Sequence, residues 1–481
     1  MEKTSQKQKI LLIASSFEEN TLDPSSNDRA IVQKRMDRAH YPLGLAYLHA
    51  YLESQGNEVK MLFLNTYSYE ICFADSMNAV RDFSPDVVGL QVFTQNRVST
   101  YRIVEMIHAQ YPALPIVLGG IHATVMHEQI LKKYPFVIIV RGEGEITFQK
   151  LVETLRAGKD IASVEGIAFN RKGEVVLTPD RQLIDNLDSL PFPKHELFFN
   201  HGRTFGCILT SRGCPFNCSF CALESITRRR YRARSVENVM QEIEYMMKAF
   251  PQMKRVWIHD DTFFLDNERA IRFCDEVIRR KLPLEFVASG RIKPVSAELF
   301  RKLEQANFKK ILFGLESGTD EILAAARKAI TQKDVIETFR LLSKSKMEIT
   351  TFLIVGLKGE TLGTVKSTAD FVKKIQKLKY TYFDDIGVLI IYPGTEICRL
   401  AKEGGQITDD FWLSEKMTPF FEAEHSKEEL FRFKKILLDR IALKRLFTID
   451  GFLAQWDMIP YVVLYLWSQR GRLVKKVLRI G

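Results

Sequence analysis

No apolar run in this chain is long enough to cross a bilayer: the longest, 459–467, spans nine residues, against roughly 20 for a transmembrane helix. No secretory leader is expected either, because residues 1–9 are polar and lead directly into a short strand-like run. Cysteine is scarce, seven in 481 residues and odd in number, which argues against a disulfide framework and predicts a reducing, cytoplasmic setting. A zinc-finger ligand set is also missing. Three cysteines cluster, but no fourth Cys or His follows them at finger-like spacing.

The cluster stands in Thr210-Ser211-Arg212-Gly213-Cys214-Pro215-Phe216-Asn217-Cys218-Ser219-Phe220-Cys221. Iron-sulfur clusters are held by cysteine thiolates, so a CxxxCxxC loop can bind three irons of a 4Fe-4S cluster and leave the fourth open to a non-protein ligand. A zinc knot or a chance group of core cysteines is the competing reading. With Phe220 just before the last cysteine, the loop resembles that of the radical S-adenosylmethionine (SAM) enzymes. The resemblance implies Cys214, Cys218 and Cys221 as cluster ligands. It also implies that the open iron chelates the cofactor, whose reductive cleavage releases a 5'-deoxyadenosyl radical.

Composition sets the frame: 46% hydrophobic residues suit a folded protein with room for two or three domains. The formal charge is +10, with basic runs at 228–234 and 470–479. Nucleic acid, an anionic substrate or an anionic membrane surface would each suit such runs, as would a solvated face.

From residue 9 to about 155, apolar runs at 10–14, 58–64, 86–93, 115–118 and 137–141 alternate with helical periods at 43–55, 75–83, 99–110, 124–133 and 146–155. This α/β alternation predicts a doubly wound parallel sheet. Such sheets bind ligands beyond the carboxyl ends of their strands. At those ends stand Gly119-Gly120-Ile121-His122-Ala123 and Gly142-Glu143-Gly144-Glu145, glycine-rich turns that simple turn chemistry also explains. Together with Tyr41-Pro42-Leu43-Gly44-Leu45 and the cysteine loop, the region resembles the cobalamin-binding domain fused ahead of one radical SAM subgroup. That resemblance implies cobalamin contacts at Gly44, Gly119, Gly120, His122, Gly142 and Gly144. The DxHxxG histidine of many cobalamin proteins is missing, because the loop reads Asn65-Thr66-Tyr67-Ser68-Tyr69-Glu70. A corrinoid without a lower histidine is expected, the alternative being a degenerate domain that binds none.

A hairpin is expected at 166–177 across Arg171-Lys172-Gly173, followed by a proline-marked linker at 188–193. From 205 to 399 six further strand and helix units predict a partial (β/α)6 barrel, with chemistry at the carboxyl ends of its strands. Those ends read Asp260-Asp261, Gly290-Arg291, Gly314-Leu315-Glu316, Gly356-Leu357-Lys358-Gly359-Glu360 and Tyr392-Pro393-Gly394. By resemblance, Asp260 or Asp261 receives the SAM ammonium, Arg291 pairs with its carboxylate, Glu316 accepts from the ribose, and the backbone at Gly356 lines the adenine. Lys358 departs from the more frequent proline. Taken singly, each such residue also serves as a helix cap or turn former.

The expected boundaries are therefore 1–160 (cobalamin-binding domain), 161–200 (hairpin and linker), 201–400 (barrel) and 401–481 (helical region). The last contains an amphipathic stretch at 426–446, an aromatic segment at 452–467 and a basic tail. An apolar segment beside clustered Lys and Arg suits peripheral contact with an anionic membrane.

The reading implied by the resemblance is methylation of an unactivated carbon using the 4Fe-4S cluster, SAM and cobalamin. Oxidative cyclisation or rearrangement, as in the anaerobic magnesium-protoporphyrin ester cyclase, is the near alternative, and a non-catalytic corrinoid or redox sensor the distant one. A small-molecule, lipid-like or tetrapyrrole substrate and a flavodoxin- or ferredoxin-type reductant are the implied partners, with no nucleic acid expected. Cys72, Cys207, Cys274 and Cys398 are scattered, so no auxiliary cluster is expected.

Overall fold

The computed structural model describes residues 7–442, apart from 23, 30–31, 33–39, 200–201 and 384–385. The aromatic segment at 452–467 and the basic tail, on which the membrane expectation rests, lie outside the described residues.

The first sheet is built on β1 (Lys9–Ala14), whose alternate side chains are buried on both sides. Ile10, Leu12 and Ala14 join one apolar cluster and Leu11 and Ile13 another. A strand buried on both faces belongs in the middle of a helix-covered parallel sheet. Accordingly β1 pairs in parallel with both β2 (Glu58–Phe63) and β3 (Val87–Gln91), and β4 (Ile116–Gly119) and β5 (Val137–Val140) continue outward. The strand order 2-1-3-4-5 makes its topological switch between β1 and β3. The hairpin β6 (Ile167–Arg171) and β7 (Glu174–Leu177), expected between the domains, instead pairs antiparallel with β5 and completes a seven-stranded sheet.

Helices α1 (Leu43–Ser54), α2 (Tyr69–Phe83), α3 (Arg97–Gln110) and α6 (Glu145–Arg156) cover this sheet. The helical period expected at 124–133 is divided at Met126 into α4 (Ile121–Val125) and α5 (His127–Lys133). Helix α2 starts six residues before the expected position, because the Ser68 hydroxyl caps Ile71 N–H there.

The second sheet contains β8 (Phe205–Ile208), β11 (Arg255–Ile258), β12 (Glu285–Gly290), β13 (Phe308–Glu316), β14 (Glu348–Val355) and β15 (Ile386–Val388), all parallel and in that spatial order; β9 (Ser211–Arg212) and β10 (Arg232–Ala233) form a separate antiparallel pair. One face, including Ile208, Val256, Ile258, Phe286, Ile311, Phe313 and Ile349, forms the largest apolar cluster with the surrounding helices. Of the expected 426–446 helix, Lys427–Ala442 is described (α7). It buries Leu430, Phe433 and Leu437 in the same cluster and packs beside β15. No helix among the described residues is long and apolar enough to cross a membrane.

The two sheets are joined by a buried polar chain and a shared apolar core. Tyr41 Oη accepts from Cys207 N–H at 2.9 Å and lies 2.8 Å from His195 Nδ1. His195 Nε2 lies 2.7 Å from Glu242 Oε1, and Glu242 pairs with Arg234. Burying an acid is costly unless it is paired; burial is the largest single effect on the Glu242 carboxyl and would raise it, but Arg234 and His195 together outweigh it and hold the group below its usual range. Leu357, Leu389 and Ile391 of the second sheet's rim join the same apolar cluster as Ile103 and Ile130 of the first domain.

Candidate active site

The carboxyl ends of both sheets open on adjoining cavities. The larger, about 560 Å³, is walled by Cys214, Cys218 and Cys221 together with Asp261, Arg291 and Glu316 from the barrel. Thr94, Gln95, Ile121 and His122 of the first domain complete it. The second, about 310 Å³, lies along the first sheet and is walled by Gly44, Gly89, Gly119, Gly120, Gly142 and Gly144, with Ser211, Arg212 and Gly213 closing it from the barrel side. Ile121, Phe93, Leu223 and Asp261 belong to both walls.

The cysteine loop is anchored from below. Asp260 Oδ1 accepts from Thr210 N–H (2.6 Å) and Ser211 N–H (3.1 Å), while Oδ2 accepts from the two hydroxyls at 2.5 and 2.6 Å. Both oxygens are thus used within the chain, and Asp260 lines neither cavity. Of the two aspartates expected to meet the cofactor, only Asp261 reaches the open space. Its Oδ2 accepts from Gly213 N–H at 2.9 Å, and burial pushes its carboxyl up to about 6, aided by neighbouring Asp260. Gly213 has φ of 91°, and an added Cβ would lie 2.1 Å from the Arg230 carbonyl oxygen, so only glycine fits this bend.

Arg291 stacks on Phe216 of the loop, 3.7 Å from the ring centre, donates to the Lys328 carbonyl, and points Nη1 at Cys218 Sγ 3.6 Å away. Its Nε is buried without a partner. Glu316 follows a shift of register between β13 and β14 and adopts φ of 65°, sparsely populated for a non-glycine residue. This irregularity aims the carboxylate into the cavity, where Lys328 Nζ meets it at 2.6 Å. Gly356 is not brought to either cavity wall; a Cβ there would meet Leu430 of α7 at 2.7 Å.

Burial raises the thiols of Cys214 and Cys221, so they need a metal or a cation to ionise. The three thiols wall one cavity, and three soft thiolate donors from one loop fit an iron-sulfur cluster.

The narrower cavity fits a corrinoid. At Gly142 an added Cβ would meet no protein atom within 4 Å, and at Gly44, Gly119 and Gly144 none nearer than 3.6 Å, so side chains there would project into space that the glycines leave open. Gln91 Oε1, on this wall, is buried without a partner, and so is His122 Nε2, although His122 stands on the wall of the larger cavity and not of this one. His122 Nδ1 lies 3.1 Å from Thr94 Oγ1, and burial with nearby Arg97 lowers the imidazole to about 3, leaving it neutral. Tyr67, where a lower histidine would stand, lines neither cavity.

Several participants carried no recognisable signal in the sequence. Arg212, inside the cysteine loop, donates to Glu143 (3.0 Å) and Glu145 (2.7 Å) of the glycine-rich turn, and Arg232 donates to Glu143 at 2.8 Å. The two cofactor loops are thereby tied to each other. Gln95 donates to Tyr392 Oη at 2.7 Å across the larger cavity, and Lys328 neutralises Glu316. The acids of Gly142-Glu143-Gly144-Glu145 were the available clue, being unexplained by a simple turn.

Comparison with known proteins agrees with this architecture. Residues 31–152 match the B12 binding domain and residues 208–372 the radical SAM superfamily. An uncharacterized methyltransferase of Pyrococcus horikoshii is 29% identical over 426 residues, 86% of this chain and 91% of its own. The anaerobic magnesium-protoporphyrin IX monomethyl ester cyclase of Rubrivivax gelatinosus is 30% identical over 352 residues, 68% of this chain but 61% of the cyclase. Among solved structures, the radical SAM methyltransferase TsrM of Kitasatospora setae superposes with a TM-score of 0.67 at 20% identity, covering 83% of this chain and 77% of that one. At that identity the likeness is one of fold.

Proposed function

Because this chain belongs to the radical SAM superfamily and carries a B12-binding domain ahead of its barrel, we propose that it methylates an unactivated carbon of a small molecule. The observation that carries the reading is the shared cavity, in which the cysteine loop and the strand-end loops of the B12-binding domain face one space. When bound, the cluster supplies the electron that opens SAM to a 5'-deoxyadenosyl radical, and the corrinoid supplies the methyl group collected by the substrate radical.

The chain's own residues orient and enclose. Arg291, already against Cys218 and with a free Nε, pairs with the SAM carboxylate. Asp261 accepts from the SAM ammonium, an exchange that favours its ionised form. Glu316 accepts from the ribose hydroxyls while Lys328 holds its other side. Gly44, Gly119, Gly142 and Gly144 leave room for the corrinoid, Gly120 makes the bend beside them, and His122 meets its edge from the larger cavity as a neutral imidazole. Tyr392 and Gln95 close the roof above the substrate.

Mass spectrometry of the reaction product tests the reading. A gain of one methylene, with 5'-deoxyadenosine and S-adenosylhomocysteine formed together, is expected. The cyclase relative supports a second reading, oxidative cyclisation; loss of hydrogen without added carbon, and no S-adenosylhomocysteine, would establish it instead.

A further inference from the structure

Outside both cavities, three metal-binding side chains from distant parts of the chain meet on the seam between the domains. His40 lies just before α1, Cys207 on β8, and His259 just after β11. Their donor atoms all lie within 4.8 Å of one another. His40 Nδ1 is 2.8 Å from His259 Nε2 and 3.7 Å from Cys207 Sγ. We propose that His40, Cys207 and His259 form a mononuclear zinc site that clips the N-terminal domain onto the first two strands of the barrel.

The donors decide the class of metal. Calcium and magnesium take oxygen ligands, whereas two imidazoles and a thiolate are the borderline-soft set that zinc prefers. Zinc distances of about 2.0–2.1 Å to nitrogen and 2.3 Å to sulfur put tetrahedral ligand pairs at roughly 3.3 Å (N···N) and 3.6 Å (N···S). The His40 and Cys207 pair already has that spacing, and the two imidazoles need to part by about half an ångström. Tyr41 fixes one edge, since Cys207 N–H donates to its hydroxyl at 2.9 Å. The rings of Trp257 and Phe205 stand edge-on to His40 at 4.7 and 5.9 Å.

The two imidazoles stand ready for ligation, whereas the thiol must first lose its proton. Burial and the neighbouring His40 hold His259 down to about 4, and burial with Arg203 lowers His40, so both rings are neutral and present lone pairs. Burial pushes the Cys207 thiol up to about 12, while Arg203 favours its thiolate. Zinc therefore displaces one proton, that of the thiol, and the hydrogen between the rings moves to an outward nitrogen. With His40 exposed, a water completes the tetrahedron, the arrangement of zinc sites that keep an exchangeable position.

The test uses holoenzyme with its cluster in place, equilibrated with one equivalent of Zn2+, desalted, and analysed for zinc, iron and acid-labile sulfide. Wild type is expected to keep a single zinc per chain. Cys207→Ala and His259→Ala should lose it by at least about tenfold with iron and sulfide unchanged, which separates this site from Cys214, Cys218 and Cys221. If Cys207→Ala also loses iron, His40→Ala at an exposed position carries the test. Zinc absent from wild type, or retained at the wild-type level by the variants, overturns the site.

Discussion

Asp260→Ala removes the footing of the cysteine loop while touching neither cavity. In the native chain its carboxylate takes two backbone amides and two hydroxyls from Thr210 and Ser211. All three residues are buried, and Arg269 reinforces the turn by donating to the Thr210 carbonyl at 2.8 Å. Hydrogen bonds to a charged acceptor contribute about 1.5–3 kcal/mol each, and a buried donor left alone costs about 1–3 kcal/mol. The hydroxyls can rotate toward other acceptors, but the amides are fixed, so Asp260→Ala should cost about 3–5 kcal/mol. Asp260→Asn keeps a carbonyl oxygen for both amides and should cost about 1–2 kcal/mol. Urea titration followed by circular dichroism gives the stabilities, and iron per chain after reconstitution gives the state of the loop. The expected order is wild type, Asn, Ala in both readouts. An Asp260→Ala protein within about 0.5 kcal/mol of wild type, with full iron, would refute the reasoning.

Three other perturbations follow from the same structure. Burial raises the Glu360 carboxyl to about 7 against the opposing Gly356 N–H. The folded state therefore binds this proton more tightly than the unfolded chain, so stability should fall by up to about 3 kcal/mol between pH ~4.5 and 7 and level off above. Glu360→Gln should abolish that slope in urea midpoints measured across the range, and an unchanged slope contradicts the assignment. Arg212→Met strands the buried Glu145 and should cost about 3 kcal/mol and lower cobalt retention after desalting; equal retention and stability would mean the loops are not tied. Gly290→Ala would put a Cβ 1.9 Å from the buried Phe264 ring, so a loss of about 3 kcal/mol is expected in thermal melts, and an unchanged melting temperature speaks against this packing.

The parts legible in the sequence were those governed by local periodicity. β1 reads as a continuous apolar run, so a strand of a helix-covered parallel sheet followed from the residues alone, while its place between β2 and β3 did not. The cysteine spacing and the strand-end glycines carried most of the site for the same reason. What escaped depended on contacts between distant residues. The 166–177 hairpin gives no sign in its own sequence that it will pair with β5. The aim of Glu316 depends on a register shift that only the sheet reveals, and its partner Lys328 looks like any surface lysine. Asp260 and Asp261 are adjacent and chemically equal, yet one holds the loop and the other faces the cavity, because successive residues at a strand end point to opposite sides. Cys207, one of four scattered cysteines, gains its two histidines only when residues 40 and 259 fold beside it.

Anaerobic reconstitution of the chain with iron, sulfide and hydroxocobalamin, followed by desalting and addition of SAM with a strong reductant, is the most direct test of the account. The account predicts that one sample retains both iron and cobalt and forms 5'-deoxyadenosine, with formation abolished in Cys218→Ala. Iron without cobalt would remove the corrinoid from the mechanism, and the absence of 5'-deoxyadenosine from cluster-loaded protein would contradict the radical chemistry itself.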